Sequence, residues 1–256
     1  MKPGLAFMAV AMALSVSACG NRTDQLMVGE GTAARSIRVA GAALAGGLPQ
    51  AALNATRPVL ERDPNNVQAL MQQADALTAM GRVDAAAEAY KRVLSREASP
   101  TREQARQARL GVGRVNLAAG RAVEAEATYR ELVAAAPKEA AGHSGLGIAL
   151  DLQGRHADAQ VAYRAALAQT DSDATRANLG LSLAMAGDAA EAVALLRPLA
   201  ADPAASPRIR HNLAFALAQT GDRAGAERAL APDMPRDQVV VALSGFDAFR
   251  TVQAVP

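Results

Sequence analysis

The chain has 256 residues, and 27 Lys and Arg against 25 Asp and Glu leave a formal net charge of +2. That balance gives no general pull toward nucleic acid or anionic lipid. With 3% aromatic residues and no tryptophan, the chain also lacks a stacking platform for single-stranded nucleic acid or sugars. Alanine is abundant and glycine recurs at intervals, a composition that predicts an almost wholly helical protein.

In chain order, the first segment is Met1–Ala18. Lys2 supplies a short basic start, and the ten residues from Leu5 to Leu14 are apolar and uncharged. Ten residues are too few to span a bilayer and fit the apolar region of a secretory signal. The segment ends Val16-Ser17-Ala18-Cys19, which resembles the bacterial lipoprotein box, although Val16 stands where leucine is preferred. The resemblance implies cleavage before Cys19 and diacylation of that cysteine. An ordinary secretory site with a free thiol is the alternative. Cys19 is the only cysteine in the chain, and an exposed lone thiol is a liability, which favours lipidation. Gly20 follows where aspartate would signal inner-membrane retention, so the implied address is the outer membrane, facing the periplasm. Two acyl chains anchor firmly where one does not. Residues 19–32, including Gly20 to Thr32 with little periodicity, read as a flexible tether of roughly 20 Å. Removal of Lys2 with the signal leaves 26 basic residues against 25 acidic ones, a net charge of +1.

Six glycines then recur, Gly47, Gly81, Gly120, Gly154, Gly187 and Gly221, with gaps of 34, 39, 34, 33 and 34 residues. A period near 34 is the signature of a helix-turn-helix unit repeated along a solenoid. Repeats aligned on these glycines start at Ala33, Val67, Arg106, Ala140, Asp173 and Pro207. Each glycine is then position 15, the turn between helix A and helix B. Position 8 is Ala40, Ala74, Gly113, Gly147, Gly180 and Ala214. Position 20 is alanine in all six copies, from Ala52 to Ala226. Both must lack bulk if the two helices cross closely. Position 24 fills the space with Tyr90, Tyr129, Tyr163, Leu196 and Leu230, Thr56 being the exception. Pro64 and Pro137 end helix B in two copies. The longer gap holds Ser99-Pro100-Thr101, which reads as a longer loop or an extra helical turn. Ser206-Pro207 places a capping serine before a first-turn proline.

The repeats occupy 33–235. Residues 236–256 carry Val239, Val240, Leu243, Phe246 and Phe249 on one more helix, expected to cap the apolar end of the rod in preference to touching a membrane.

These columns are similar to the tetratricopeptide repeat, clearest in GVGRVNLAAGRAVEAEATYRELVAAAP and GLGIALDLQGRHADAQVAYRAAL. The resemblance covers about Ala33 to Leu230 and implies an all-α fold, a right-handed α-solenoid of six repeats with a capping helix. Within that class the chain resembles the TadD group of tight-adherence (Flp) pilus assembly lipoproteins. The similarity rests on the last two repeats, on Asn178-Leu179 and Asn212-Leu213 at matching register, and on the lipidated cysteine. Type IV pilus pilotins also pair a lipid anchor with six such repeats. The implied role is targeting or assembly of an outer-membrane secretin. The alternative is a cell-envelope scaffold that recruits peptidoglycan enzymes.

In this repeat class positions 2, 5, 9, 12 and 13 of helix A line the concave face. Here they give Met71, Leu110, Leu117, Ile148, Leu152, Leu181, Met185 and Phe215, with Asp75, Arg114, Asp151, Arg208 and His211 interspersed. About half are expected to pack against neighbouring helices. The remainder suits an amphipathic helix or an extended peptide, and methionines let such a surface repack. Asn178, Arg208 and Asn212 resemble part of a carboxylate clamp. Ser144 and Ile148 stand where lysine and asparagine are needed, so a chaperone-type clamp is rejected.

The chemistry-bearing residues form no active site. His143, His156 and His211 lie in separate repeats without metal-ligand spacing. Gly145-x-Gly147 lacks a preceding strand and a third glycine. His143-Ser144-Gly145 is internal to a helix and has no oxyanion site. Glu124, Glu126, Asp171 and Asp173 sit near helix starts, where they favour the dipole. The expectation is a non-enzymatic adaptor with no cofactor, metal, small-molecule substrate or nucleic acid.

Overall fold

The computed structural model describes residues 22–95 and 97–253. Among them are thirteen α-helices in antiparallel pairs. The pairs are α1 (Arg22–Ala45) with α2 (Pro49–Arg62), and α3 (Val67–Ala79) with α4 (Val83–Val93). They continue with α5 (Arg102–Ala118) and α6 (Ala122–Ala135), then α7 (Ala140–Asp151) and α8 (His156–Gln169). The last are α9 (Asp173–Ala186) with α10 (Ala189–Ala200), and α11 (Pro207–Gln219) with α12 (Arg223–Leu230). A final helix, α13 (Arg236–Gln253), packs on α11 and α12. Each helix contacts its successor, and first helices of adjacent repeats also touch, as α9 does α11.

The period is set by backbone and by bulk. All six turn glycines have positive φ, from +68° to +97°, a region L-residues with a Cβ rarely enter. The six alanines of position 20 are fully buried, as are Ala40, Ala74 and Ala214 of position 8. In the other three copies position 8 is glycine because the filler leaves no room. A Cβ on Gly113 would sit 2.5 Å from the Tyr129 ring, and one on Gly147 or Gly180 equally close to Tyr163 or Leu196. Tyr129 also lies against Gly145, and Tyr90 against Gly111, so the filler of one repeat wedges into helix A of the next. Leu196 and Leu230 fill position 24 with buried aliphatic bulk instead, each contributing about 1.5–3 kcal/mol by burial.

Local signals place most boundaries. Asn66 caps α3 and Ser172 caps α9, each side chain accepting from a backbone N–H of the first turn. The inserted Ser99–Thr101 gives both a loop and an extra turn. Thr101 and Gln104 form a reciprocal capping box, so α5 starts at Arg102, ahead of Arg106. Ser206 differs from expectation: Pro207 occupies the first turn, and the serine side chain makes no cap bond.

Helix α1 begins at Arg22 and so runs through Arg22–Thr32, where the sequence suggested a tether. Thr32 accepts a hydrogen bond from Arg62 of α2 at 3.2 Å. The signal segment and Cys19 lie outside the described residues.

Candidate functional site

The concave column of position 9 runs from Asp75 through Arg114, Ile148 and Leu181 to Phe215. Its middle is open. Ile148 and Leu152 from α7 and its end, Asn178, Leu181 and Met185 from α9, with Asp151 and Tyr163, line a pocket of about 180 Å³. Leu152 is 58% exposed at its rim. Ile148, Leu181 and Met185 are half-buried, their inner atoms packed on the core of repeats four to six. Five of the residues expected to bind a partner therefore converge on one concavity.

Beneath it, Asp151 organises the wall. Its Oδ2 accepts from the Tyr163 hydroxyl at 2.9 Å, and its Oδ1 accepts from Ser182 Oγ at 2.7 Å. His156 Nδ1 lies 2.9 Å from the same Oδ1. One carboxylate thereby ties α7, α8 and α9 together. Burial, reinforced by the Asp151 charge and hydrogen bond, pushes the Tyr163 phenol far above its usual range. Ser, His and Asp thus meet here, but not as a nucleophilic triad. Ser182 is fully buried and donates to the aspartate, and nothing aims it at an imidazole nitrogen. The arrangement can hold an apolar side chain in a rigid seat, with the Asn178 amide at its margin.

The remaining expected residues separate. Met71 packs on the core of repeats two and three, while Leu110 and Leu117 pack against the Ala125–Tyr129 cluster. Arg114 and Arg208 are exposed, and the Arg114 charge opposes the upward shifts that burial imposes on Tyr90 and Tyr129.

Two residues are corrected. Asn212 is only 5% exposed, and its Nδ2 donates to the Ala177 carbonyl at 3.0 Å, fastening α11 to α9. Gln72 makes the equivalent bond to Ile37 between α3 and α1, also at 3.0 Å. In these two copies position 6 faces the preceding repeat and its amide serves the stack, whereas Asn178 at the same position lines the pocket. Phe215 is 8% exposed, covered edge-on by Phe246 and Phe249 at centroid distances of 5.3 and 5.2 Å. His211 meets Phe246 in the same way. The groove therefore ends where α13 begins. Val239 and Leu243 join that contact, whereas Val240 is 53% exposed and faces away.

Sequence reasoning also misplaced Glu126. It is almost fully buried and accepts from Gln153 and Arg155 at 2.7 Å and Arg130 at 2.5 Å. Gln153 first, then the arginines, hold its carboxyl below the usual range. The available signal was the arginine at position 16 of the following repeat. Asp171 and Asp173 both pair with Arg176. Among the described residues no cluster of His, Cys, Asp and Glu could hold a metal, and no helix is long and apolar enough to cross a membrane.

Two sequence profiles described as tetratricopeptide repeat match the chain. One covers residues 40–103, 71–140 and 126–174, and the other covers 174–198 and 207–232. The chain belongs to the tetratricopeptide repeat family, whose solenoids are generally non-catalytic scaffolds for protein and peptide partners. Among curated proteins no sequence matches. Solved structures share the fold at low identity. pilF of Pseudomonas aeruginosa is 17% identical over 86% of this chain and 98% of its own, with a TM-score of 0.65. A tetratricopeptide repeat protein of Parabacteroides merdae is 14% identical over 84% of each chain, with a TM-score of 0.63. YrrB, a protein with an unusual peptide-binding site, is 18% identical over 75% of this chain and 97% of its own, with a TM-score of 0.55.

Proposed function

We propose that this chain is an outer-membrane-anchored adaptor that seats an apolar segment of a secretin subunit in its concave groove and supports assembly of a tight-adherence pilus. The observation that carries the reading is the pocket of Ile148, Leu152, Asn178, Leu181 and Met185. It presents the exposed Leu152 and three half-buried apolar side chains over a wall rigidified by Asp151, a seat for one face of an amphipathic helix or for alternate side chains of a strand. YrrB shows that a solenoid of this fold can carry a peptide-binding site. The lipoprotein box at Cys19 supplies the membrane half of the reading.

Two experiments separate the halves. Leu152→Glu puts a charge at the exposed rim, where the fold does not need the leucine. It is expected to abolish capture of the purified secretin subunit while leaving the circular dichroism spectrum unchanged. Undiminished capture moves the binding surface elsewhere. Cys19→Ala is expected to release the folded protein from the outer-membrane fraction and to impair secretin ring assembly. Unaltered fractionation removes the anchor. Capture of peptidoglycan enzymes with no binding to the secretin shifts the function to an envelope scaffold.

A further inference from the structure

Away from that pocket, two arginines of repeat four pair with carboxylates at one repeat position. Arg164, position 25 of repeat four, pairs with Glu191, position 19 of repeat five, at 3.2 Å. Arg155, position 16 of repeat four, pairs with Asp158, position 19 of its own repeat, at 2.5 Å. A position-19 carboxylate thus meets an arginine of the preceding repeat at Glu191 and one of its own repeat at Asp158, while Arg121, position 16 of repeat three, turns instead to Asp84. It is Glu124, Asp158 and Glu191 in repeats three, four and five. In repeats one, two and six it is Ala51, Ala85 and Gly225.

The two arginines that would converge on position 85 are nevertheless present. Arg57 holds position 25 of repeat one and Arg82 holds position 16 of repeat two. Neither has a carboxylate partner among the described residues: Arg57 donates only to the Asn54 side chain at 3.1 Å, and Arg82 is exposed. Between them a cavity of about 360 Å³ lies among α2, α3 and α4, with Leu53 and Leu77 in its wall. Arg92 lines the same cavity and donates to the Pro64 carbonyl at 2.5 Å, and Glu88 contributes the one negative charge.

We propose that this cavity is a binding site for a carboxylate of an acidic peptide, which takes the place that Glu191 and Asp158 fill elsewhere in the rod. The arginine forks supply paired N–H donors, the geometry a carboxylate accepts best. Leu53 and Leu77 give an adjacent apolar side chain a dry wall. The site shares no lining residue with the pocket of α7 to α9 and does not depend on what that pocket binds.

The test is fluorescence anisotropy of a labelled hexapeptide of alternating leucine and aspartate, titrated with the full chain. Its counterpart with asparagine for aspartate, and inorganic phosphate as competitor, define the chemistry. Arg57→Ala with Arg82→Ala is expected to weaken binding about tenfold or more. Ala85→Glu, which restores the internal carboxylate, is expected to abolish it while the protein melts no lower than wild type. Glu88→Gln, a surface change that leaves the fold alone, is expected to tighten it several-fold. Leu152→Glu in the concave groove leaves it unchanged. Equal affinity for the asparagine peptide, indifference to Ala85→Glu or to Glu88→Gln, or equally effective displacement by phosphate overturns the proposal.

Discussion

Single atoms decide the spacing of this rod. Tyr129 is wedged between Gly113 of its own repeat and Gly145 of the next, so a methyl on either side overlaps its ring. A buried ring with helices on both faces cannot step aside, and Gly145→Ala is expected to cost about 1–3 kcal/mol. Gly245 is a control in the same chain. A Cβ there meets nothing within 4 Å, so Gly245→Ala is expected to stabilise by about 0.5–1 kcal/mol through helix propensity alone. Thermal melts of the two variants should move in opposite directions. The tyrosines also set an alkaline limit. Burial raises the Tyr129 phenol from its ordinary value of 10.0 to about 12, and raises Tyr90 and Tyr163 further. The unfolded chain gives up these protons near pH 10 while the folded chain keeps them. Stability is therefore intact below pH 10 and falls as pH rises from there through about 12. Tyr129→Phe is expected to flatten that fall in melts taken across the range, whatever it does to stability at neutral pH.

At the scale of the helix, α13 turns a repeat array into a closed end. Asp233, in the link before it, accepts from Arg210 Nε and Nη2 at 2.5 Å, and Gln219 donates to the Phe246 carbonyl at 3.3 Å. Truncation after Pro235 is expected to uncover Phe215, lower the melting temperature and raise binding of a hydrophobic dye, readings that a free-hanging tail would not change. This helix also explains what the sequence could and could not show. The turn glycines and positions 8, 20 and 24 were readable because one repeat's own backbone and its own helix crossing impose them. Position 6 was not, since its constraint comes from the preceding repeat: it is glycine under a tyrosine at Gly111 and Gly145, and an amide to a carbonyl at Gln72 and Asn212. Asn178 and Asn212 sit in the same Asn-Leu pair, yet one lines a pocket and the other is buried. Phe215 belongs to a concave column by register, and only the fold-back of α13 removes it. Met71, Leu110 and Leu117 were expected on the same face but pack against the core clusters of repeats two to four. Ala85 was silent for a related reason, since a missing carboxylate is visible only against the repeats that have it.

Over the whole molecule the core is a chain of local clusters. One joins repeats four to six and includes Val239 and Leu243 of α13; another joins repeats two and three around Tyr90 and Val112. Smaller groups around Ala52 and Tyr129 lie at the first repeat and between these two. In a solenoid each unit contacts only its neighbours, so stability is a sum of nearest-neighbour terms and can be lost in one stretch and kept in another. Leu196 tests this. It is fully buried in the larger cluster against Gly180, so Leu196→Ala leaves a cavity in the core. The loss is expected to be about 2–5 kcal/mol. Hydrogen exchange should show it as lost protection across α9 to α12, with the amides of α3 and α4 exchanging as in the wild type. A uniform loss along the rod would mean that the repeats unfold as one body, and that a partner seated at α7 to α9 stabilises the entire chain instead of its own half.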